Sequence, residues 1–317
     1  MKNMIWKLLL AAVLVLAVAV LVPSATLVAG AEADDTPCPT FVPVELETVE
    51  PVDFSSGTPY GPHEDGYWEE EDGSSGYRDG SISVTIHKMR RYNTYIMVAY
   101  VQLADASQMR TELCKPYPSS ATAPAANLAN RVNATFAISG DSFTHTDMHT
   151  GYIVRNGQLL RNKFDDTFDM LVVDTAGDFH IVTPMLEENV AAFEGEIAQT
   201  FVFGPALVID GEVNNDFRRG TYVPTHEAQR MAIGQLDHLS YVIVATEGPE
   251  NKNSDGLTLY EMADLMAELG CSNAYNLDGG SSSTLVLKGK KVNSLSSGKV
   301  RPIGDIIYFV TALPEDE

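Results

Sequence analysis

The sequence predicts an α+β fold: a single large strand-rich domain with a few supporting helices, preceded by a signal segment and an acidic linker. Three observations carry this expectation. Short apolar or alternating runs recur along the chain, and glycines or other turn residues stand at their joints. Only one stretch has helical periodicity with both ends marked. At 317 residues the chain can build one hydrophobic core without help from disulfides. Many strands without regular alternation with helices favour α+β over α/β.

The N-terminus is a targeting segment. Lys2 and Lys7 flank the start of an apolar stretch running from Leu8 to Val22, and Pro23, Ser24 and Ala29-Gly30-Ala31 follow. A positive start, an apolar centre and a small-residue box describe an export signal cut after Ala31. A membrane anchor is the alternative if Pro23 is tolerated inside a span. Either reading places the remainder outside the cytoplasm. Residues 32–76 are rich in acids, Pro, Gly and Ser, and read as a linker or an outer loop pinned by Trp68. The compact domain is expected over 77–317.

Within it, Ser81 to Ile86 alternates at period two, and Tyr95 to Val101 is a buried-strand run. Ala121 to Val132 is alanine-rich and helix-like, and Ala134 to Ile138 is strand-like. Further strands are expected at Tyr152–Val154, Met170–Val173, His180–Val182, Ala206–Ile209, Met231–Gly234 and Tyr241–Ala245, with hairpin turns at Gly157, Gly177 and Gly211. The clearest helix starts at Thr258. This residue is an N-cap, Glu261 completes a capping box, and Leu257 with Met262 forms a hydrophobic staple. Leu259, Met262, Ala263, Met266 and Leu269 make its apolar stripe and Gly270 closes it. A strand through Ala274-Tyr275 then ends at Asp278.

The formal net charge is −22. Such a surface repels nucleic acid and anionic membranes, and no basic patch offsets it. An anionic substrate would need cationic help supplied locally. Cys38, Cys114 and Cys271 are an odd set, so they do not form a complete disulfide framework; Cys114 and Cys271 either form a bridge or remain thiols. No cysteine spacing suggests a metal cluster, and no cofactor is expected.

Asn276-Leu277-Asp278-Gly279-Gly280-Ser281-Ser282-Ser283-Thr284 is the strongest site candidate. It sets a carboxylate at a strand end, then backbone able to approach a ligand closely, then a row of hydroxyls. A hairpin turn explains Asp-Gly-Gly but not the hydroxyls. Ser139-Gly140-Asp141 repeats the pattern of an acid after a strand, and two such acids are what glycoside hydrolysis uses. Arg230, just before the apolar Met231-Ala232-Ile233-Gly234, can clamp a phosphate or pair with one of the many acids. His145, Asp147 and His149 share one face of an extended segment and are a weaker metal candidate. His226-Glu227 is a lesser acid–base pair. No Gly-x-Ser-x-Gly elbow marks a serine nucleophile.

These residues resemble the phosphodiester glycosidases, over a region from about Tyr77 to the C-terminus. The resemblance rests on the Asn276–Gly280 stretch with its Ser-Ser-Thr, and on Arg230-Met231-Ala232-Ile233-Gly234, similar to the family's Arg-Thr-Ala-Ile-Gly. It extends to Gly256-Leu257-Thr258-Leu259, Phe203-Gly204-Pro205-Ala206-Leu207, Gly151-Tyr152-Ile153-Val154-Arg155-Asn156-Gly157 and Arg301-Pro302-Ile303-Gly304-Asp305. Ser139 replaces the family's Asn, Ser142 an aromatic, Ser281 a third glycine and Met231 a threonine. The resemblance implies cleavage of the sugar–oxygen bond of a sugar-1-phosphodiester in an envelope glycan or exopolysaccharide. Asp278 and Asp141 would be catalytic, and Arg230, Gly279, Gly280, Ser281, Ser282, Ser139 and Arg155 would bind substrate. A glycan-binding module that kept the cleft but lost catalysis, and a metal-dependent phosphodiesterase built on His145, Asp147 and His149, are the alternatives.

Overall fold

The structure, a computed structural model, describes residues 35–55, 60–142, 150–217, 223–293 and 300–314. All of them lie in one compact unit, Asp34–Glu317. The expected signal segment, residues 1–31, and the candidate metal ligands His145, Asp147 and His149 lie outside the described residues.

Turn chemistry sets the first strands. Tyr67–Glu69 (β1) and Ser75–Arg78 (β2) form a hairpin inside the stretch expected to be linker or outer loop. Its corner is held by the Asp72 carboxylate, which accepts from the Ser74 N–H at 2.8 Å. Ile82–Arg91 (β3) and Thr94–Leu103 (β4) follow, joined through Tyr92 and Asn93 at φ 50° and 49°. Two successive positive φ values match the right-handed strand twist. Met109–Leu113 (β5) leads to the helix Ala125–Arg131 (α1). This helix is shorter than the alanine-rich run. Pro124 disfavours helical backbone at the residue before it, and Ala123 is drawn into a bridge with Ile303 instead.

Phe136–Ser139 (β6), Gly151–Arg155 (β7) and Gln158–Lys163 (β8) come next, the last two turning at Asn156-Gly157. Met170–Asp174 (β9), Phe179–Val182 (β10), the short helix Glu187–Ala191 (α2), Ile197–Phe201 (β11), Ala206–Ile209 (β12) and Glu212–Val213 (β13) follow. Met231–Asp237 (β14) and Ser240–Thr246 (β15) precede Leu259–Glu268 (α3), whose capping box forms as expected: Thr258 Oγ1 accepts from the Glu261 N–H and Glu261 accepts from the Thr258 N–H. Asn273–Leu277 (β16), Leu285–Leu287 (β17), Lys290–Lys291 (β18) and Asp305–Phe309 (β19) complete the order.

The strands sort into a nine-stranded sheet, β1-β2-β3-β4-β15-β14-β16-β12-β13, and a five-stranded sheet, β18-β17-β6-β19-β5, with a smaller β10-β9-β11 sheet and the β7-β8 hairpin. One buried cluster joins the inner faces of these sheets. It includes Tyr77, Val84, Val101, Phe136, Ile138, Leu171, Phe201, Met231, Tyr275 and Phe309. Helix α3 covers the outer face of the large sheet through Leu259, Met262, Leu265 and Met266. Helix α1 covers the outer face of the five-stranded sheet. Burying each such side chain contributes about 1.5–3 kcal/mol, which is why the layers stay together. Cys38, Cys114 and Cys271 are all free thiols, so the Cys114–Cys271 bridge does not form. Each of the latter two belongs to a different outer layer. Among the described residues no helix is long and apolar enough to cross a membrane.

Candidate active site

The sandwich has one end where chain directions converge. Strands β16 and β6 arrive there with Leu277 and Ser139, and the antiparallel β14 and β19 depart with Met231 and Asp305. The Asp278–Thr284 connection crosses at this end from the large sheet to the five-stranded one. That crossing explains the glycines. A Cβ on Gly279 would stand 2.5 Å from the Gln229 carbonyl oxygen, and Gly280 sits at φ 56°. The Gly280 N–H donates to that same carbonyl at 2.9 Å. It therefore braces the loop, and the expected anion-binding row of N–H groups is not free at this position. Gly280–Ser282 forms one turn of 3-10 helix.

Asp278 stands at the head of this turn, 7% exposed. Arg301 donates to both of its oxygens from one terminal nitrogen, at 3.0 and 2.7 Å, and its Nε donates to Ser282 Oγ at 2.7 Å. Burial holds the Asp278 carboxyl above the usual carboxylate range. Arg301 and hydrogen bonds from Ser282 and Ser142 oppose that rise. Ser142 has φ 62° and reaches Asp278 from the loop after β6, so the two site loops meet at this carboxylate. Arg301 itself is about half exposed, and among the described residues its second terminal nitrogen has no partner.

Behind Asp278 lies a second cluster, enclosed in protein. Asp141 is 0% exposed; one oxygen accepts from Arg155 at 2.7 Å and the other from the Val202 N–H at 2.8 Å. Arg155 also donates to Asp305 at 3.1 Å and to the Thr200 and Val154 carbonyls, with its guanidinium over the Phe201 ring. Asp305 is 1% exposed, and among the described residues its Oδ1 has no hydrogen-bond partner. Burial pushes the Asp305 carboxyl up to about 7. Arg155 opposes the rise, and the charges of Asp141 and Asp278 add to it. Among the described residues Asp278, Asp141 and Asp305 share the guanidiniums of Arg301 and Arg155, and like charges this close favour a proton on one of the carboxyls. Asp305, with its raised carboxyl, is the group that holds it most readily. Gly140 makes the arrangement sterically feasible, since a Cβ there would stand 2.5 Å from an Asp305 oxygen.

The expected residues thus separate. Asp278, Ser281 and Ser282 gather around the half-exposed Arg301; the Ser281 carbonyl accepts from the Arg301 N–H at 3.0 Å. Asp141 and Arg155, expected from sequence as a catalytic acid and a substrate-binding residue, are buried and paired with each other. Ser139 is buried, and its hydroxyl accepts from the Thr284 N–H at 3.3 Å, tying β6 to the loop. Arg230 donates to the Leu257 and His226 carbonyls at 3.0 and 2.7 Å and so braces the segment leading into α3. The sequence reading placed neither Arg301 nor Asp305 in the site. Their signal was an acid directly before the fully apolar Ile306-Ile307, with an arginine four residues earlier. Among the described residues no group of His, Cys, Asp or Glu is arranged to hold a metal ion.

Known proteins resemble this chain in sequence and in fold. Residues 132–310 match the family model described as phosphodiester glycosidase. A stretch of 88 residues, 28% of this chain, is 38% identical to the SPbeta prophage-derived uncharacterized protein YomE of Bacillus subtilis, and covers 13% of that protein's length. The catalytic domain of zebrafish N-acetylglucosamine-1-phosphodiester alpha-N-acetylglucosaminidase, solved auto-inhibited by its pro-peptide, superposes with TM-score 0.58 at 15% identity, covering 88% of this chain and 98% of that one. A hypothetical protein from Synechocystis superposes with TM-score 0.52 at 15% identity, over 72% of this chain and 62% of the other. The structural likenesses carry the fold. The family match spans β6, β14, β16 and β19, the strands whose ends make the site, and on that ground the chain belongs to the phosphodiester glycosidase family.

Proposed function

We propose that this protein is an exported hydrolase that cleaves the glycosidic C–O bond of a sugar-1-phosphodiester in an envelope or exopolysaccharide glycan. The observation that carries the reading is the Asp278–Arg301 pair at the sandwich end: a nearly buried carboxylate beside a half-exposed cation. A scissile sugar–phosphate linkage needs both. The carboxylate acts at the anomeric carbon, as nucleophile or as base for water, where positive charge develops. The cation holds the departing phosphate, which is a good leaving group and needs little protonation. Arg301, with its second terminal nitrogen directed to no described partner, takes the phosphate role first expected of Arg230. Asp141, Arg155 and Asp305 act from behind by fixing the loops and the local field. Local cations also answer the overall charge of −22. Export is supported by the Lys2–Ala31 pattern.

The test uses the chain from Glu32 onward with a panel of sugar-1-phosphate aryl and alkyl diesters in heavy-oxygen water. Heavy oxygen in the released sugar is the expected result. Heavy oxygen in the phosphate would mean attack at phosphorus and would overturn the reading, as would binding without any product across the panel.

A further inference from the structure

The register of the large sheet extends the site sideways. Leu277, Met231, Ala245, Met97 and Lys88 stand opposite one another on five adjacent strands and so share the inner face. Four strand spacings separate the first from the last, about 19 Å. Asp278 follows directly after Leu277, so this row, whose Leu277, Met231 and Ala245 are core-buried, sets the lateral distance from the reacting carboxylate to Lys88. A cavity of about 290 Å³ covers its far half, lined by Lys88, Tyr95, Met97, Ala245, Glu247 and Asn293, among others.

The cavity is coupled to the site loop by direct bonds. Asn293 Nδ2 donates to the Ser283 carbonyl at 2.9 Å, and its Oδ1 accepts from the Leu285 N–H at 2.8 Å. On the opposite wall Thr246 Oγ1 accepts from the Arg230 N–H at 2.8 Å. Its lining carries one ammonium, Lys88, and one carboxylate, Glu247. Lys88 is exposed and among the described residues has no ion-pair partner. The Arg90 guanidinium lies over the Tyr95 ring at 4.7 Å from the centroid, and Tyr95 is 47% exposed. Glu247 is engaged by Asn251 and Ser254. An exposed aromatic ring on an apolar floor suits the face of a pyranose, and a neighbouring ammonium suits a phosphate.

We propose that this groove is a second binding subsite, which takes a further phosphate-bearing unit of the same glycan with Lys88 on the phosphate and Tyr95 against the sugar. The substrate class is then a phosphodiester-linked polymer or oligomer and not an isolated sugar-phosphate diester. This deepens the proposed function and rests on it for the identity of the scissile bond.

Two measurements test it. The first is the ratio of kcat/KM for a glycan of three sugars joined by phosphodiesters to that for a single-sugar aryl diester. The second is calorimetric titration with the same three-sugar glycan, which needs no turnover. Wild type is expected to favour and to bind the longer glycan. Lys88→Ala and Tyr95→Ala are each expected to lower both the ratio and the affinity about tenfold, the scale of one charge-assisted hydrogen bond or one stacked ring. Both residues are surface-exposed, and thermal melts verify that the variants fold. Equal affinity in wild type and Lys88→Ala, or no affinity of wild type for the longer glycan, overturns the subsite. Hydrolysis of neither substrate sinks the proposed function instead, and the titration still decides the groove.

Discussion

Asp278 and Asp305 are both buried carboxylates, yet their surroundings set them different tasks. Asp278 has a guanidinium on both oxygens and hydroxyls from Ser282 and Ser142, and that guanidinium is half exposed. Replacing it with Asn keeps the volume and one acceptor for Arg301, so Asp278→Asn is expected to fold like wild type. Its turnover of a sugar-1-phosphodiester should fall by roughly a thousandfold, the scale of losing an acid–base or nucleophilic group; an unchanged rate would remove Asp278 from the chemistry. Asp305 instead shares one guanidinium with Asp141 in an enclosed space, and its carboxyl is raised to about 7 from an ordinary 3.8. A raised carboxyl means that the folded state binds the proton more tightly than the unfolded chain. That contribution is complete below about pH 4 and is lost as pH rises through about 7. Wild type should therefore lose thermal stability across this window, and Asp305→Asn should flatten that part of the profile; an unchanged slope in melts at stepped pH would contradict the proton on Asp305. Asp278 was legible in the sequence because glycine, serine and acid sit together in one short segment. Asp305 and Arg301 were not, because the partners that give them meaning are distant along the chain: Arg301 meets Asp278 across 23 residues, and Asp305 meets Arg155 across 150.

At the scale of elements, local rules were reliable where local interactions decide. The α3 capping box and the hairpins at Gly157 and Gly211 form as their residues dictate. Thr258→Ala should cost about 1 kcal/mol of stability by orphaning the Glu261 N–H, and leave kcat unchanged. Gly279→Ala should behave otherwise. Its Cβ would meet the Gln229 carbonyl, which is backbone and cannot rotate away, so the strain falls on the turn that carries Asp278. A loss of about 1–3 kcal/mol together with a loss of turnover is expected. Denaturant melts paired with rates separate the two variants, and a fully active Gly279→Ala would mean that the loop is not tightly packed. The β1–β2 hairpin was hidden because acids and glycines dominate its composition. What recruits it is the edge of β3, where Tyr77 buries completely against the inner core.

At the scale of the molecule, the charge of −22 works against an anionic substrate until it reaches the site. Raising salt from about 10 to 150 mM shortens the screening length several-fold and should lower KM for a diester by a few-fold. A KM that rises with salt would mean that the cations at Arg301 and Lys88 outweigh the rest of the surface. The sequence by itself determined the strand-rich class, the supported strand before Asp278 and the family, because periodicity, capping and short motifs are properties of neighbours along the chain. Tertiary structure alone decided that Asp141 and Arg155 are enclosed while Arg301 beside Asp278 stays half exposed. The two large sheets and the β7–β8 hairpin together bring residues 139, 155, 278, 301 and 305 to one end. No local pattern encodes that convergence, because it follows from which sheet edges and faces bury the most apolar surface together.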